Sequence, residues 1–308
     1  MEITKVLIPA AGIGNRFLPY TKAVPQEMLP LLNYPAIHYA VDEATSCAIS
    51  NIICITNKEK SAIAHYFDEN NDLDALLKEK NQESLLVDVQ KIMRTAEFTY
   101  IRQSEPLGLG HAIWLARNTI YKEYFGLILP DDLIFDKQPA FSQLLRIAKQ
   151  EKATVIAVQE IPIEQSSSYG MIAIKKQLSP SLFQVSQIID KPNPIHSPSN
   201  LGVIGRYIIS HKIFTSLEEI NRYGDNKELS LNDAINNMIQ NNEKVFAYKI
   251  QGTRYDLSTP LGWLKANIGL ALQHPHYSPH IRRFIAEFDL ASHFFTDQLT
   301  VKNNKHFL

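Results

Sequence analysis

The stretch from Ala10 to Pro30, AAGIGNRFLPYTKAVPQEMLP, follows a short apolar run, KVLI, and gathers two glycines, Arg16, Lys22 and Glu27. Gly12 and Gly14 let backbone N–H groups approach a ligand closely, and a helix N-terminus nearby would favour an anion. Arg16 and Lys22 add charge-assisted donors of the kind phosphate takes. The stretch is not a Walker A loop, since no GK[ST] follows at the required spacing. Nor is it GxGxxG, since Gly12 and Gly14 are followed by Phe17. A bare GxG after a strand also suits a tight strand–helix turn, and it is Arg16, Lys22 and Glu27 that favour ligand binding. Position 26, in a loop of this composition, is a glutamine.

Three later stretches carry further polar chemistry. In LILPDDLIFD the apolar Leu127 to Leu129 ends a strand, which places Asp131 just past a carboxyl edge, where open α/β sheets bind ligands. A carboxylate there can hold Mg²⁺ against a substrate phosphate, because Mg²⁺ takes hard oxygen ligands and keeps several waters. Equally, Asp131 and Asp132 can simply start a turn. In RQSEPLGLGHAI, Gln103 has a donor and an acceptor able to read a nucleobase edge, and Gly108 and Gly110 allow close approach before a helix. His111 reads as a packed or backbone-bonded histidine at the helix start rather than a base, as no nucleophile lies near it in sequence. In IIDKPNP a strand ends in Asp190 and Lys191, which could take a sugar hydroxyl and its phosphate or form a surface turn.

The elements that must position these residues alternate in the first half. KVLIP, NIICIT, EFTYIRQ, YFGLILP and ATVIAVQ read as strands. PAIHYAVDEATSCAI, GHAIWLARNTI and a segment over 139 to 151 read as helices, and residues 59 to 92 are charged with a mostly helical pattern. NIICIT is a continuous β-branched run, as a strand buried on both faces would be. Alternation of this kind predicts a mostly parallel sheet covered by helices. After Glu160 come the strand-like YGMIAI, FQVSQIID, LGVIGRYIIS and KVFAYKI, with helices over SLNDAINNMI, capped by Ser230, and over PLGWLKANIGLALQ. The tail from His274 has no evident place in the sheet. HPHYSPH, with His274, His276 and His280, reads as an exposed turn rather than a metal site, as no acidic or cysteine partner frames it.

Bulk properties limit the partners. The 308 residues suffice for a sizeable core, and 45% apolar with 20% charged is ordinary for a soluble globular chain. A net charge of −1 offers no global field for nucleic acid or anionic membrane. No apolar run reaches the ~18 residues of a membrane-spanning helix. Cys47 and Cys54 lack metal spacing and read as buried thiols, and no signal-peptide pattern opens the chain, so the expected compartment is the cytoplasm.

Taken together and in order, GxGxRxLPxTKxxPxEMLP, QxxPLGLGHA, LPDD, DKP and NLGVIGRYIIS resemble the bacterial UTP–glucose-1-phosphate uridylyltransferases, within the wider sugar-nucleotide pyrophosphorylases. The resemblance spans roughly residues 3 to 273. It implies a Rossmann-like nucleotidyltransferase fold: a mixed, mostly parallel central sheet covered by helices, with a smaller β-rich sugar-binding part. It implies one domain over 1–273, with a nucleotide part to about 150 and a sugar-phosphate part from about 151, and a C-terminal extension over 274–308. The implied reaction makes UDP-glucose and pyrophosphate from UTP and glucose 1-phosphate, with Mg²⁺, in a homodimer or homotetramer.

Carried over by motif, the resemblance assigns Ala10, Ala11, Gly12, Gly14 and Glu27 to the nucleotide, with Gln103 and Gly108 reading uracil. Arg16 neutralises the leaving pyrophosphate, and Asp131 holds Mg²⁺ aided by Asp256. Lys191 grips the sugar phosphate, while Gly170, Asp190 and Glu228 face the sugar. The chain departs from the pattern at Gln26, where most of the family has a phosphate-contacting lysine. Asn15 stands for threonine, Asp190 for glutamate, and Ser258 and Pro260 for glycine and lysine. These departures leave a second reading, a weakened or inactive paralogue that binds sugar nucleotide or modulates a true uridylyltransferase.

Overall fold

A computed structural model describes residues 1–223 and 228–291. Its strands, in chain order, are β1 (Lys5–Pro9), β2 (Pro30–Leu31), β3 (Tyr34–Pro35), β4 (Asn51–Thr56), β5 (Glu97–Arg102), β6 (Tyr124–Ile128), β7 (Asp132–Phe135), β8 (Thr154–Glu160), β9 (Gly170–Ser179), β10 (Leu182–Asp190), β11 (Leu201–Ser210), β12 (Val245–Lys249) and β13 (Thr253–Asp256). Nine of them form one sheet in the order β5-β4-β1-β6-β11-β8-β12-β10-β9, with a further pairing of β11 to β9. The pairs β5–β4, β4–β1, β1–β6 and β8–β12 are parallel. The pairs β6–β11, β11–β8, β12–β10, β10–β9 and β11–β9 are antiparallel. The parallel character expected from the alternating first half therefore holds over β5-β4-β1-β6, and the later strands turn the sheet mixed.

Side chains of a strand alternate between faces, and both faces are covered here. Val6, Ile8, Ile52 and Cys54 pack on one face against the helices Ala36–Ser46, Ser61–Phe67, Val87–Thr95 and Ala140–Glu151. Leu7, Ile53, Ile55 and Leu127 pack on the other against Gly108–Leu115, Ile213–Tyr223 and Leu231–Gln240. Burial on both sides is why NIICIT and KVLIP carry no alternation of polar and apolar residues. A third, smaller core joins Leu31, Ala36, Leu133, Leu257, Ala266 and Leu270, and fixes the helix Pro260–Gln273 beside the β13–β7 ribbon.

Two details depart from the sequence reading. The strand through YFGLILP stops two residues short, at Ile128, and a further strand, β7, begins at Asp132, while Asp131 keeps its place just past the carboxyl end of β6. The tail after His274 forms a further helix, Ser278–Ala291, against Pro260–Gln273. Ser230 does cap the helix Leu231–Gln240, its Oγ accepting from the Asp233 N–H at 3.2 Å.

Candidate active site

The carboxyl ends of the four parallel strands meet along one edge. There β1 runs into Ala10–Gly14, β4 into Asn57, β5 into Gln103 and β6 into Leu129–Asp131. The turns are stitched together: the Ala10 N–H donates to Ile55 O at 2.7 Å, Asn57 Nδ2 to Ala11 O at 2.8 Å, and the Gln103 N–H to Thr56 O at 2.8 Å. A cleft of about 450 Å³ opens over this edge. Ala11, Gly12, Gly14, Gln26, Glu27, Gln103, Gly108, Asp131 and Glu228 line it, and Ala10 is buried beneath. A smaller cavity of about 200 Å³ adjoins it, sharing Leu129 and Asp131, and is lined also by Arg16, Asp132, Tyr169, Arg254, Asp256 and Ser258.

The loop is built for open backbone. Gly14 takes φ +69° and Gly108 φ +88°, values that favour glycine. A Cβ on Gly12 would meet nothing within 4 Å, so that residue faces the cleft rather than a packed neighbour. Gln26 Nε2 donates to Leu257 O at 3.2 Å, and Arg16 Nη1 donates to Ser258 Oγ at 2.7 Å. Two hydrogen bonds thus tie the early loop to the segment after Asp256.

The charges around the cleft are unequally matched. Lys60 Nζ lies 2.7 and 2.6 Å from the two Glu27 oxygens, and both side chains are nearly sealed. Burial pushes the Glu27 carboxyl up, and Lys60 opposes that shift. Asp132 is also committed, with Oδ2 accepting from the Gly205 N–H at 2.6 Å and Oδ1 from Arg254 Nε. Arg254 reaches further, to Tyr169 Oη at 3.1 Å and towards Asp256 Oδ2 at 4.0 Å. Among the described residues Asp131 has no such cation. Burial, then the charges of Asp132, Asp256 and Glu27, push its carboxyl up to about 6.

Asp131 and Asp256 border the same cavity, and the Leu257 N–H donates to Asp131 O at 2.7 Å. Two hard oxygen donors, one of them strained by neighbouring negative charge, fit Mg²⁺, which usually takes one or two carboxylates and completes its shell with substrate phosphate and water. Among the described residues no group of three or more His, Cys, Asp or Glu side chains is placed to hold a metal.

Beside Gly108, Gln103 is buried, and its Nε2 bonds Gly108 O at 3.2 Å and His111 Nδ1 at 3.0 Å. The Nε2 being spent, what Gln103 offers the cleft is its acceptor oxygen. His111 therefore orients Gln103, and burial holds its imidazole below the ordinary value. Further along the sheet, Gly170 and Asp190 pair across β9 and β10. Asp190 Oδ1 accepts from Asn232 Nδ2 at 2.8 Å. Lys191 follows with φ +44°, its N–H on Tyr169 O at 2.9 Å and its side chain exposed. It lines neither cavity, though Tyr169 lines the smaller. Lys60, Tyr169, Asn232 and Arg254 have partners far along the chain and leave no local signal in the sequence.

The model of the family described as nucleotidyl transferase matches residues 5–269. A UTP–glucose-1-phosphate uridylyltransferase of Staphylococcus haemolyticus is 41% identical over 93% of this chain and 98% of its own length. One of Bacillus subtilis is 40% identical over 88% and 92%. Among solved structures, the UTP-bound UGPase from Acinetobacter baumannii has a TM-score of 0.85 at 34% identity, covering 93% of this chain and 99% of its own. A UDP-glucose pyrophosphorylase complexed with UDP-glucose has a TM-score of 0.81 at 34% identity, covering 89% and 100%.

Proposed function

The chain belongs to the nucleotidyl transferase family, among the UTP–glucose-1-phosphate uridylyltransferases, and we propose that its cleft makes UDP-glucose and pyrophosphate from UTP and glucose 1-phosphate. The observation that carries this reading is the seam at Asp131, the polar side chain common to the larger and the smaller cavity. A triphosphate lying across that seam puts its base by Gln103 and Gly108 and its phosphates by the open Gly12–Gly14 backbone. The relatives give no support to an inactive paralogue.

A phosphate oxygen of glucose 1-phosphate attacks the α-phosphorus of UTP in line. A P–O bond forms there as the bond to the β-phosphate breaks, and pyrophosphate leaves. The attacking oxygen is already ionised, so no side-chain base is required, and catalysis comes from positioning and charge neutralisation. Arg16 faces the departing pyrophosphate, with Ser258 holding one arm of its guanidinium and leaving the other. Lys191 meets the sugar phosphate, and Gly170, Asp190 and Glu228 the hydroxyls. Asp131 and Asp256 would hold Mg²⁺, which supplies charge neutralisation on the phosphates.

Residues 1 to about 150 then serve the nucleotide and about 151 to 273 the sugar phosphate. The expected compartment is the cytoplasm, consistent with two free thiols, and no helix among the described residues is long and apolar enough to cross a membrane. A homodimer or homotetramer would cover the exposed apolar row Leu261, Leu264 and Ile268. The deciding assay is pyrophosphate release from UTP and glucose 1-phosphate with Mg²⁺, against Asp131→Asn. Turnover by the parent and loss in the variant are expected. An inactive parent, or an unimpaired variant, overturns the reading.

A further inference from the structure

The helix Leu231–Gln240 is fastened to the sugar side by one residue and reaches into it with another. Asn236 clamps the backbone of Ile188 in β10 twice, its Nδ2 donating to Ile188 O at 2.8 Å and its Oδ1 accepting from the Ile188 N–H at 2.7 Å. Residues four apart share a helix face. The clamp therefore carries Asn232 to the same strand two residues further on, at Asp190, where Nδ2 donates to Oδ1 at 2.8 Å. The residue opposite Asp190 in β9 is Gly170, and a Cβ there would sit 2.8 Å from Asn232 Nδ2. The missing side chain makes room for the amide. Glu228, just before this helix, lines the large cleft.

We infer that Asn232 is a positioning residue for the sugar: its amide fixes the Asp190 carboxylate through Oδ1 and so presents Oδ2 to a hydroxyl of glucose 1-phosphate. The inference rests on the function proposed above. Asn236 already secures the helix, so Asn232 is not needed for that purpose. A carboxylate at a strand end, exposed as Asp190 is, otherwise turns freely about its side-chain bonds. A charge-assisted hydrogen bond to one oxygen removes that freedom and leaves the second oxygen with its acceptor capacity intact.

The test compares Asn232→Ala and Asn232→Asp in the full chain, with KM measured separately for each substrate and thermal melting as a check on folding. Asn232→Asp keeps the shape but sets a like charge against Asp190. The KM for glucose 1-phosphate is expected to rise about tenfold in Asn232→Ala and further in Asn232→Asp, with the KM for UTP within about twofold of the parent. A side chain that only fills space against Gly170 gives the opposite order, with the isosteric variant close to the parent, and that order overturns the inference. An equal rise in the KM for UTP also overturns it. Should Asn232→Asp not fold, an unchanged KM for glucose 1-phosphate in Asn232→Ala overturns it alone. If the parent itself fails to turn over, the proposed function falls and this inference with it, whereas an active parent with the wrong order sinks only the role of Asn232.

Discussion

Replacing Lys60 by methionine keeps an unbranched stem of similar length and removes the ammonium from both Glu27 oxygens. The two side chains are only 5% and 10% exposed, so water cannot take the place of the lost partner. Breaking a buried pair from one side costs about 3–5 kcal/mol, because an uncompensated charge stays behind. No other cation bonds Glu27 among the described residues, and its charge already acts on Asp131, so the upper half of that range is expected. The sign with pH follows from burial. In the parent, burial raises the Glu27 carboxyl above 4.5 with Lys60 pulling it down, and without Lys60 the folded-state value climbs further. The folded protein then binds more protons than the unfolded chain. Stability falls as pH rises between the two values and is regained below about 4.5. Urea unfolding of Lys60→Met at pH 8 and near pH 5 should show the full penalty at the first and a smaller one at the second. Adding Glu27→Gln should recover most of it. A loss under about 1 kcal/mol at pH 8, or the same loss at both pH values, would refute the account of this pair as a buried, mutually neutralising one.

Asp131→Asn should abolish turnover yet stabilise the metal-free protein at pH 8, by at most about 3 kcal/mol, because a carboxyl raised from 3.8 to about 6 is charged there against burial. The gain should vanish near pH 4, where the parent carboxyl is protonated in the fold, and a destabilised variant at pH 8 would contradict the assignment. Gln26→Lys should raise kcat about tenfold or more, about 1.4 kcal/mol, with little change in the KM for glucose 1-phosphate, since a charge at this point counts most as pyrophosphate departs. An unchanged or lower kcat would mean that another cation already fills the role. Gly262→Ala would place a Cβ 1.7 Å from Asp256 O, so the start of the helix Pro260–Gln273 must move and carry Asp256 with it. The Mg²⁺ concentration for half-maximal activity should rise, and a titration like that of the parent would show that Asp256 is held by other means.

The strands of the parallel sector were legible because burial on both faces writes itself as unbroken β-branched runs, as in NIICIT and KVLIP. The loop after β1 was legible from glycine spacing and basic residues, and Asp131 from its place after an apolar strand. What stayed hidden was every partnership across the chain. Glu27 reads as a ligand contact in the loop, whereas its carboxylate is taken by Lys60, thirty-three positions on. Asp132 looks equivalent to Asp131 in sequence and is instead spent on Gly205 and Arg254. The helix Ser278–Ala291 was missed because the polar, histidine-rich run before it carries no apolar periodicity, and it stands on contacts with the helix before it.

The position of β12 bears on how the chain reaches this state. Val245–Lys249 is the last strand of the large sheet in sequence but fills an interior slot, parallel to β8 and antiparallel to β10. Until it arrives, β8 and β10 each present an unpaired edge, and both carry apolar residues such as Ile156, Val158, Phe183 and Val185. A chain emerging from its N-terminus can assemble β5-β4-β1-β6 early, while β8 and β10 wait for a strand that closes a long loop. Closure of that kind is slow and leaves open edges exposed to other chains. A nascent or truncated protein ending before Val245 would therefore present two open strand edges able to pair with its own copies, and aggregation rather than partial activity is its expected fate.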